Sequence, residues 1–173
     1  MNNNLFKNKY RISPARLANW DYGSNGSYFI TICTENRIHY FGDIIVDHGI
    51  ASLRPTEIGK VAIENWKQIP QHFPFIKLDE FVIMPDHMHG ILAINKPDKN
   101  DWQPNRFGVQ SQNLGSVIRG YKASVKSYAT IHNIKFAWQA KYHDHVIRNE
   151  RELRNIKHYI LQNPLKWIRD KKE

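Results

Sequence analysis

Residues 81 to 94, FVIMPDHMHGILAI, restrict the fold more than any other stretch of the chain. Phe81, Val82, Ile83 and Met84 favour a buried, pleated strand. Pro85-Asp86 interrupts that run, and an apolar run resumes at once with His87. A two-residue break leaves room only for a tight turn, so residues 75–84 and 87–94 read as two strands of an antiparallel hairpin. Side chains alternate faces along a strand, so His87 and His89 project one way, Met88 and Gly90 the other. Two imidazoles on one face of a stiff strand can share a metal ion. Equally, Asp86 and the two histidines can form a wet strand end that holds nothing.

The flanking segments supply what such a hairpin needs to become a domain. Ser27 to Thr34 (SYFITICT) is rich in aromatic and β-branched residues and reads as a buried first strand. A short hairpin or excursion follows, over ENRIHYFGDIIVDHGIASL. A helix should begin near Pro55-Thr56, with Ile58, Val61, Ala62 and Trp66 at helical spacing, and end at Pro70. Asn113 can cap a second helix whose core stripe is Leu114, Val117, Ile118, Tyr121 and Val125. A fourth strand is expected over Asp144 to Arg148. Asn149, with Glu150 and Glu152, then caps a last helix expected to stop near Pro164. The resulting order, β-α-β-β-α-β plus a trailing helix, is that of an α+β, ferredoxin-like antiparallel sheet with helices on one face.

At 173 residues the chain is long enough for one domain with its own core. The expected division is a basic arm over residues 1–26 and a domain over 27–173, with a mobile polar loop at 96–112. In the arm, Lys7, Lys9, Arg11 and Arg16 either touch phosphates or remain a solvated tail. Lys and Arg number 25 against 16 Asp and Glu, a net +9. That balance favours a polyanion, nucleic acid before an anionic membrane, though an ordinary basic soluble protein has the same composition. Cys33 is the only cysteine, which excludes an intrachain disulfide and suits a reducing compartment. With no signal-like N-terminal run and no apolar stretch of roughly 20 residues, a cytoplasmic protein without a membrane partner is expected.

Two further patterns bear on chemistry. In the helix after Asn113, Arg119, Lys122 and Lys126 recur at i, i+3 and i+7 and line one side, a shape that tracks a phosphate backbone or merely faces solvent. In the last helix Leu153, Ile156 and Ile160 form the buried stripe, and Tyr159 and Asn163, four apart, project from its rim together. Tyr159 can be an ordinary rim residue and Asn163 a cap before Pro164. Tyr121, on its own helix's apolar stripe, reads as core; Tyr128 and Tyr142 lie in no motif. His143 and His145 repeat the alternating spacing, and His145 reads as structural or as a support to a site.

Taken together, YFITICTENR, FVIMPDHMHGIL and WQAKYHDHVIRNERELRNIKHYILQNP resemble the single-tyrosine HUH nucleases, specifically the REP-associated tyrosine transposases of bacteria. The resemblance spans most of residues 27 to 166. It implies a metal-dependent DNA nickase and strand transferase acting on single-stranded or hairpin DNA. His87, His89 and Asn163 would hold one Mg²⁺ or Mn²⁺ ion, and Tyr159 would attack the phosphorus to give a 5′-phosphotyrosine. Related insertion-sequence transposases carry Gln where this chain has Asn163, one methylene shorter. The resemblance leaves open whether the tyrosine serves its own site or that of a partner in a homodimer. Two other classes stay in view: a nucleic-acid-binding protein with a vestigial site, and a metal-dependent hydrolase of the H-x-H barrel type. The second needs a barrel of ~250 residues, more than this chain has.

Overall fold

The computed structural model describes residues 20–97 and 112–170. The arm up to residue 19, with Lys7, Lys9, Arg11 and Arg16, lies outside those residues, as does most of the loop expected at 96–112. The elements in chain order are β1 (Gly26–Cys33), β2 (Gly42–Asp47), β3 (Ile50–Pro55), α1 (Glu57–Lys67), α2 (Ile69–His72), β4 (Ile76–Met84), β5 (His87–Ile94), α3 (Leu114–Ile131), β6 (His143–Ile147) and α4 (Glu150–Asp170). A single 3-10 turn, Glu35–Arg37, follows β1. Four strands form one antiparallel sheet in the order β4-β5-β1-β6, the ferredoxin-like arrangement anticipated from the element order. The excursion after β1 is a separate hairpin, β2 with β3. Its turn, His48-Gly49, has positive φ at both residues (46° and 82°), the backbone that matches the right-handed twist of the two strands.

The sheet has a helix layer on each face, and β5 shows which is which. Gly90 faces α1: a Cβ there would lie 2.4 Å from Cζ2 of Trp66. The Trp66 ring in turn meets Tyr121 of α3 edge-on at 5.2 Å. Tyr28, Ile30 and Ile32 of β1 and Met88 and Leu92 of β5 join the same core, all fully buried. The three longer helices, α1, α3 and α4, each start at a polar cap. Thr56 Oγ1 accepts from Gly59 N at α1, Asn113 and Ser116 form a reciprocal capping box at α3, and Asn149 Oδ1 accepts from Glu152 N at α4.

Two boundaries differ from expectation, both at prolines. α1 ends at Lys67, and Pro70 occupies the first turn of α2, where its missing N–H would have had no partner anyway. α4 does not stop at Pro164 but runs through it to Asp170. Pro164 is buried, and three residues later the ring of Trp167 lies over the sheet against His39 and His87. Tertiary packing outweighs the lost helical hydrogen bond.

Replacing Gly90 with Ala forces a methyl group into Trp66. Overpacking of this kind typically costs about 1–3 kcal/mol, and urea unfolding of Gly90→Ala is expected to show a loss in that range. A variant as stable as the parent would mean that Trp66 moves aside freely.

Candidate active site

On the face of β5 opposite Gly90, the sheet places His87 and His89 beside β1. Their register partners are Cys33 and Thr31. Alternation puts Phe29, Thr31 and Cys33 on this same face. α4 lies across it, and its side chains complete the cluster. Tyr159 Oη stands 3.4 Å from His89 Nε2, with ring centroids 5.2 Å apart. Phe29 stacks on His89 at 5.3 Å and meets Tyr159 edge-on at 6.1 Å. The tyrosine and both histidines therefore come from one chain. His87 and His89 are each only 6% exposed, whereas Tyr159 is 42% exposed, so the cluster has a solvent-facing rim.

Both imidazoles are held by their Nδ1 atoms. His89 Nδ1 lies 2.8 Å from Thr31 Oγ1, and His87 Nδ1 lies 2.6 Å from Asp86 Oδ1. With the ring protons on Nδ1, each histidine donates to that fixed partner and keeps its Nε2 lone pair for the site, as outer partners do for metal-binding histidines. Burial, reinforced by His87 and Arg37, lowers the His89 pKa from the ordinary 6.5 to about 3, so the ring is neutral at pH 7. Burial disfavours an ionised Asp86. The hydrogen bond from His87 and the nearby charges of His87, Arg37 and His39 outweigh it and hold the carboxyl below the usual range.

Asn163 projects from α4 one turn beyond Tyr159. It is 7% exposed, and its side chain makes no hydrogen bond among the described residues. By donor chemistry, a buried amide with no hydrogen bond and two imidazole Nε2 lone pairs suit a weakly held divalent cation. Among the described residues no group of three or more His, Cys, Asp or Glu side chains could hold a metal ion.

Arg37 is the site neighbour that sequence periodicity does not reveal. Its Nε is 2.9 Å from Asp86 Oδ2, Nη1 donates to Cys33 Sγ at 2.8 Å, and Nη2 is 3.5 Å from His87 Nδ1. Asn36 and Arg37 both have positive φ (51° and 56°). No pattern of apolar residues encodes such a turn, although Arg37 does end the segment YFITICTENR. Phe29 and Thr31 were legible only through the alternation of β1.

The other candidates are placed elsewhere. Tyr121 is buried and donates to Ala62 O, and burial raises its pKa. Tyr128 donates to Glu57 Oε1, and Tyr142 packs against the core. His145 pairs with Glu152 at 2.6 Å and ties β6 to the start of α4, the supporting role expected of it. The cationic stripe of α3 lies on the Trp66 side of the sheet, away from Tyr159. Arg119 is exposed there. Lys122 Nζ donates to Gln139 O and Ala140 O, and Lys126 Nζ to Phe136 O.

No protein-family model matches the chain. A Haemophilus influenzae protein of uncharacterised function is 38% identical over 165 residues, covering 90% of this chain and 89% of that protein. A second H. influenzae protein, provisionally named a REP-associated tyrosine transposase, is 26% identical over 151 residues, covering 84% of this chain and 74% of the relative. The solved structure of a REP-associated tyrosine transposase bound to a REP hairpin superposes with a TM-score of 0.60 at 21% identity, over 90% of this chain and 74% of that one. These matches make the chain similar to REP-associated tyrosine transposases in sequence and in fold. It carries the fold of that solved transposase, with α4 as the tyrosine-bearing helix. Among the described residues of this chain, no helix is long and apolar enough to cross a membrane.

The buried, neutral His89 makes folding pH-dependent. Its folded pKa lies below its unfolded one, so its contribution is complete above pH 6.5 and is lost as pH falls toward about 3. Within that window one such group contributes a slope of about 1.4 kcal/mol per pH unit. Urea midpoints of the metal-free protein are expected to fall from pH 7 to pH 5, and to fall less in His89→Asn. Equal slopes for parent and variant would remove His89 as the cause.

Proposed function

We propose that this protein nicks and rejoins single-stranded or hairpin DNA, with Tyr159 as the nucleophile. The observation that carries the reading is the Tyr159 hydroxyl 3.4 Å from Nε2 of a neutral, buried histidine of the same chain. A structural relative was solved with a REP hairpin bound, which supports hairpin DNA as the partner here. Such a substrate places the reaction in the cytoplasm. Tyr159 Oη attacks phosphorus; the Oη–P bond forms and the P–O3′ bond breaks. The phenol proton is passed to the departing 3′-oxygen, leaving a 5′-phosphotyrosine and a free 3′-hydroxyl. The link conserves the phosphodiester, so reversal rejoins the strand without ATP.

His87 Nε2, His89 Nε2 and the Asn163 amide oxygen would hold one Mg²⁺ or Mn²⁺ ion, which supplies charge neutralisation at the scissile phosphate. Phe29 and Thr31 fix the ring of His89, and Asp86 fixes that of His87. Because one chain carries the whole set, adduct formation is expected to be first order in protein, without need of a homodimer. Arg119 on α3 is available to a phosphate, while Lys122 and Lys126 would first have to release their carbonyls.

The decisive test is a denaturing gel of protein with labelled hairpin DNA and Mn²⁺. Wild type is expected to give a covalent band and Tyr159→Phe none, although that variant still binds DNA. His87→Ala with His89→Ala should abolish cleavage, and Asn163→Ala should slow it without abolishing the adduct. Peptide mapping that found the DNA on Tyr121, Tyr128 or Tyr142 would overturn the assignment. Binding should also weaken steeply with salt, each neutralised phosphate adding roughly 0.7 to 0.9 to the log–log slope. Arg119→Gln is expected to flatten that slope.

A further inference from the structure

The rings under α4 form a row rather than a cluster. Tyr159 lies 5.2 Å from His89 and His89 4.7 Å from His87. His87 lies 6.0 Å from Trp167, and Trp167 5.4 Å from His39. The row therefore has two ends. Tyr159 occupies one, and Trp167, eight residues or about 12 Å of helix further on, occupies the other with His39 beside it. Arg37 stands at that second end, joined to His87 through Asp86, with its side chain 51% exposed.

We propose that Arg37, His39 and Trp167 form a subsite for the nucleotide that carries the departing 3′-hydroxyl. The inference rests on the nicking function proposed above. In a phosphoryl transfer the entering and leaving oxygens stand roughly in line, on opposite sides of phosphorus. Tyr159 enters from the His89 end of the row, so the 3′-oxygen departs toward the His87 end. The side chains waiting there have the chemistry of single-stranded nucleic acid recognition, aromatic surface for a base beside a cation for the backbone. Trp167 is partly exposed and His39 is exposed, so a base can reach them. Asp86, Cys33 and His87 each hold one nitrogen of the Arg37 guanidinium, and its side chain, 51% exposed, still has N–H groups for a phosphate oxygen. The left-handed backbone at Asn36 and Arg37 is a conformation that non-glycine residues adopt sparingly, and such outliers gather at functional sites. Holding the departing strand here keeps its 3′-hydroxyl in place for rejoining.

Rejoining by the purified covalent adduct tests the subsite directly. The quantity read is the concentration of 3′-hydroxyl oligonucleotide that gives half-maximal release of DNA from Tyr159. Trp167→Leu is expected to raise it by about tenfold or more, as loss of one base–aromatic stack does. Arg37→Gln should raise it too, while Trp167→Phe, which keeps a ring, should fall between. Values within twofold of wild type for both Trp167→Leu and Arg37→Gln would overturn the subsite. A second arm needs neither metal nor adduct: the 3′-hydroxyl oligonucleotide should quench the tryptophan fluorescence of the parent more than that of Trp167→Phe. If wild type forms no adduct, the nicking function falls and this arm alone judges the subsite; equal quenching then removes it. Equal weakening for an oligonucleotide from the 5′-phosphate side would overturn its polarity.

Discussion

Strand β5 is buried on both faces, and everything functional in the molecule depends on that. Its odd-numbered histidines meet α4, while its even-numbered Met88, Gly90 and Leu92 meet α1 and the central core. A slip of one residue would exchange the two sets, placing imidazoles in an apolar core and Gly90 under Tyr159. The register is held from both sides, by β1 and by β4. The turn before it is anchored as well: Thr34 N donates to Asp86 O and Phe41 N to Pro85 O. Gly90 opposite Trp66 admits only this register, since any side chain there collides with the indole.

Burying two imidazoles and a carboxylate is unfavourable unless each polar atom has a partner. The fold supplies them one by one. Thr31 serves His89, Asp86 serves His87, and Arg37 serves Asp86. The arrangement commits both Nδ1 atoms and leaves His89 Nε2 3.4 Å from Tyr159 Oη, at the exposed edge of the site. Anchors at both sides of α4 keep that helix in place: Glu152 to His145 of β6, and Lys157 to Asp79 of β4. The hydrogen bond to Asp79, with the charge of that carboxylate, raises the Lys157 pKa.

The parts of this design that obey a local period were legible from sequence. His87 with His89 follows the two-residue repeat of a strand, and Tyr159 with Asn163 the four-residue reach of a helix. So were the caps at Asn113 and Asn149, because each satisfies its own helix's first turn. What escaped depends on partners far along the chain. The spacing of Arg119, Lys122 and Lys126 correctly gives one helix face, but not that the carbonyls of Phe136, Gln139 and Ala140 occupy two of the three. Arg37 sits in a left-handed turn that no periodicity encodes. Pro164 obeys a local rule that favours stopping, and the packing of Trp167 overrides it.

That proline has a mechanical side. Lacking an N–H, Pro164 leaves the carbonyl of Ile160 without its intrahelical donor, so α4 is least stiff between its two working ends. The segment before the junction carries Tyr159 and Asn163; the segment after it carries the Trp167 ring, 6.0 Å from that of His87. A rod that bends at one known point can lift its first half while the second stays seated. A strand of DNA threading beneath Tyr159 would therefore not have to pry the whole helix from the sheet.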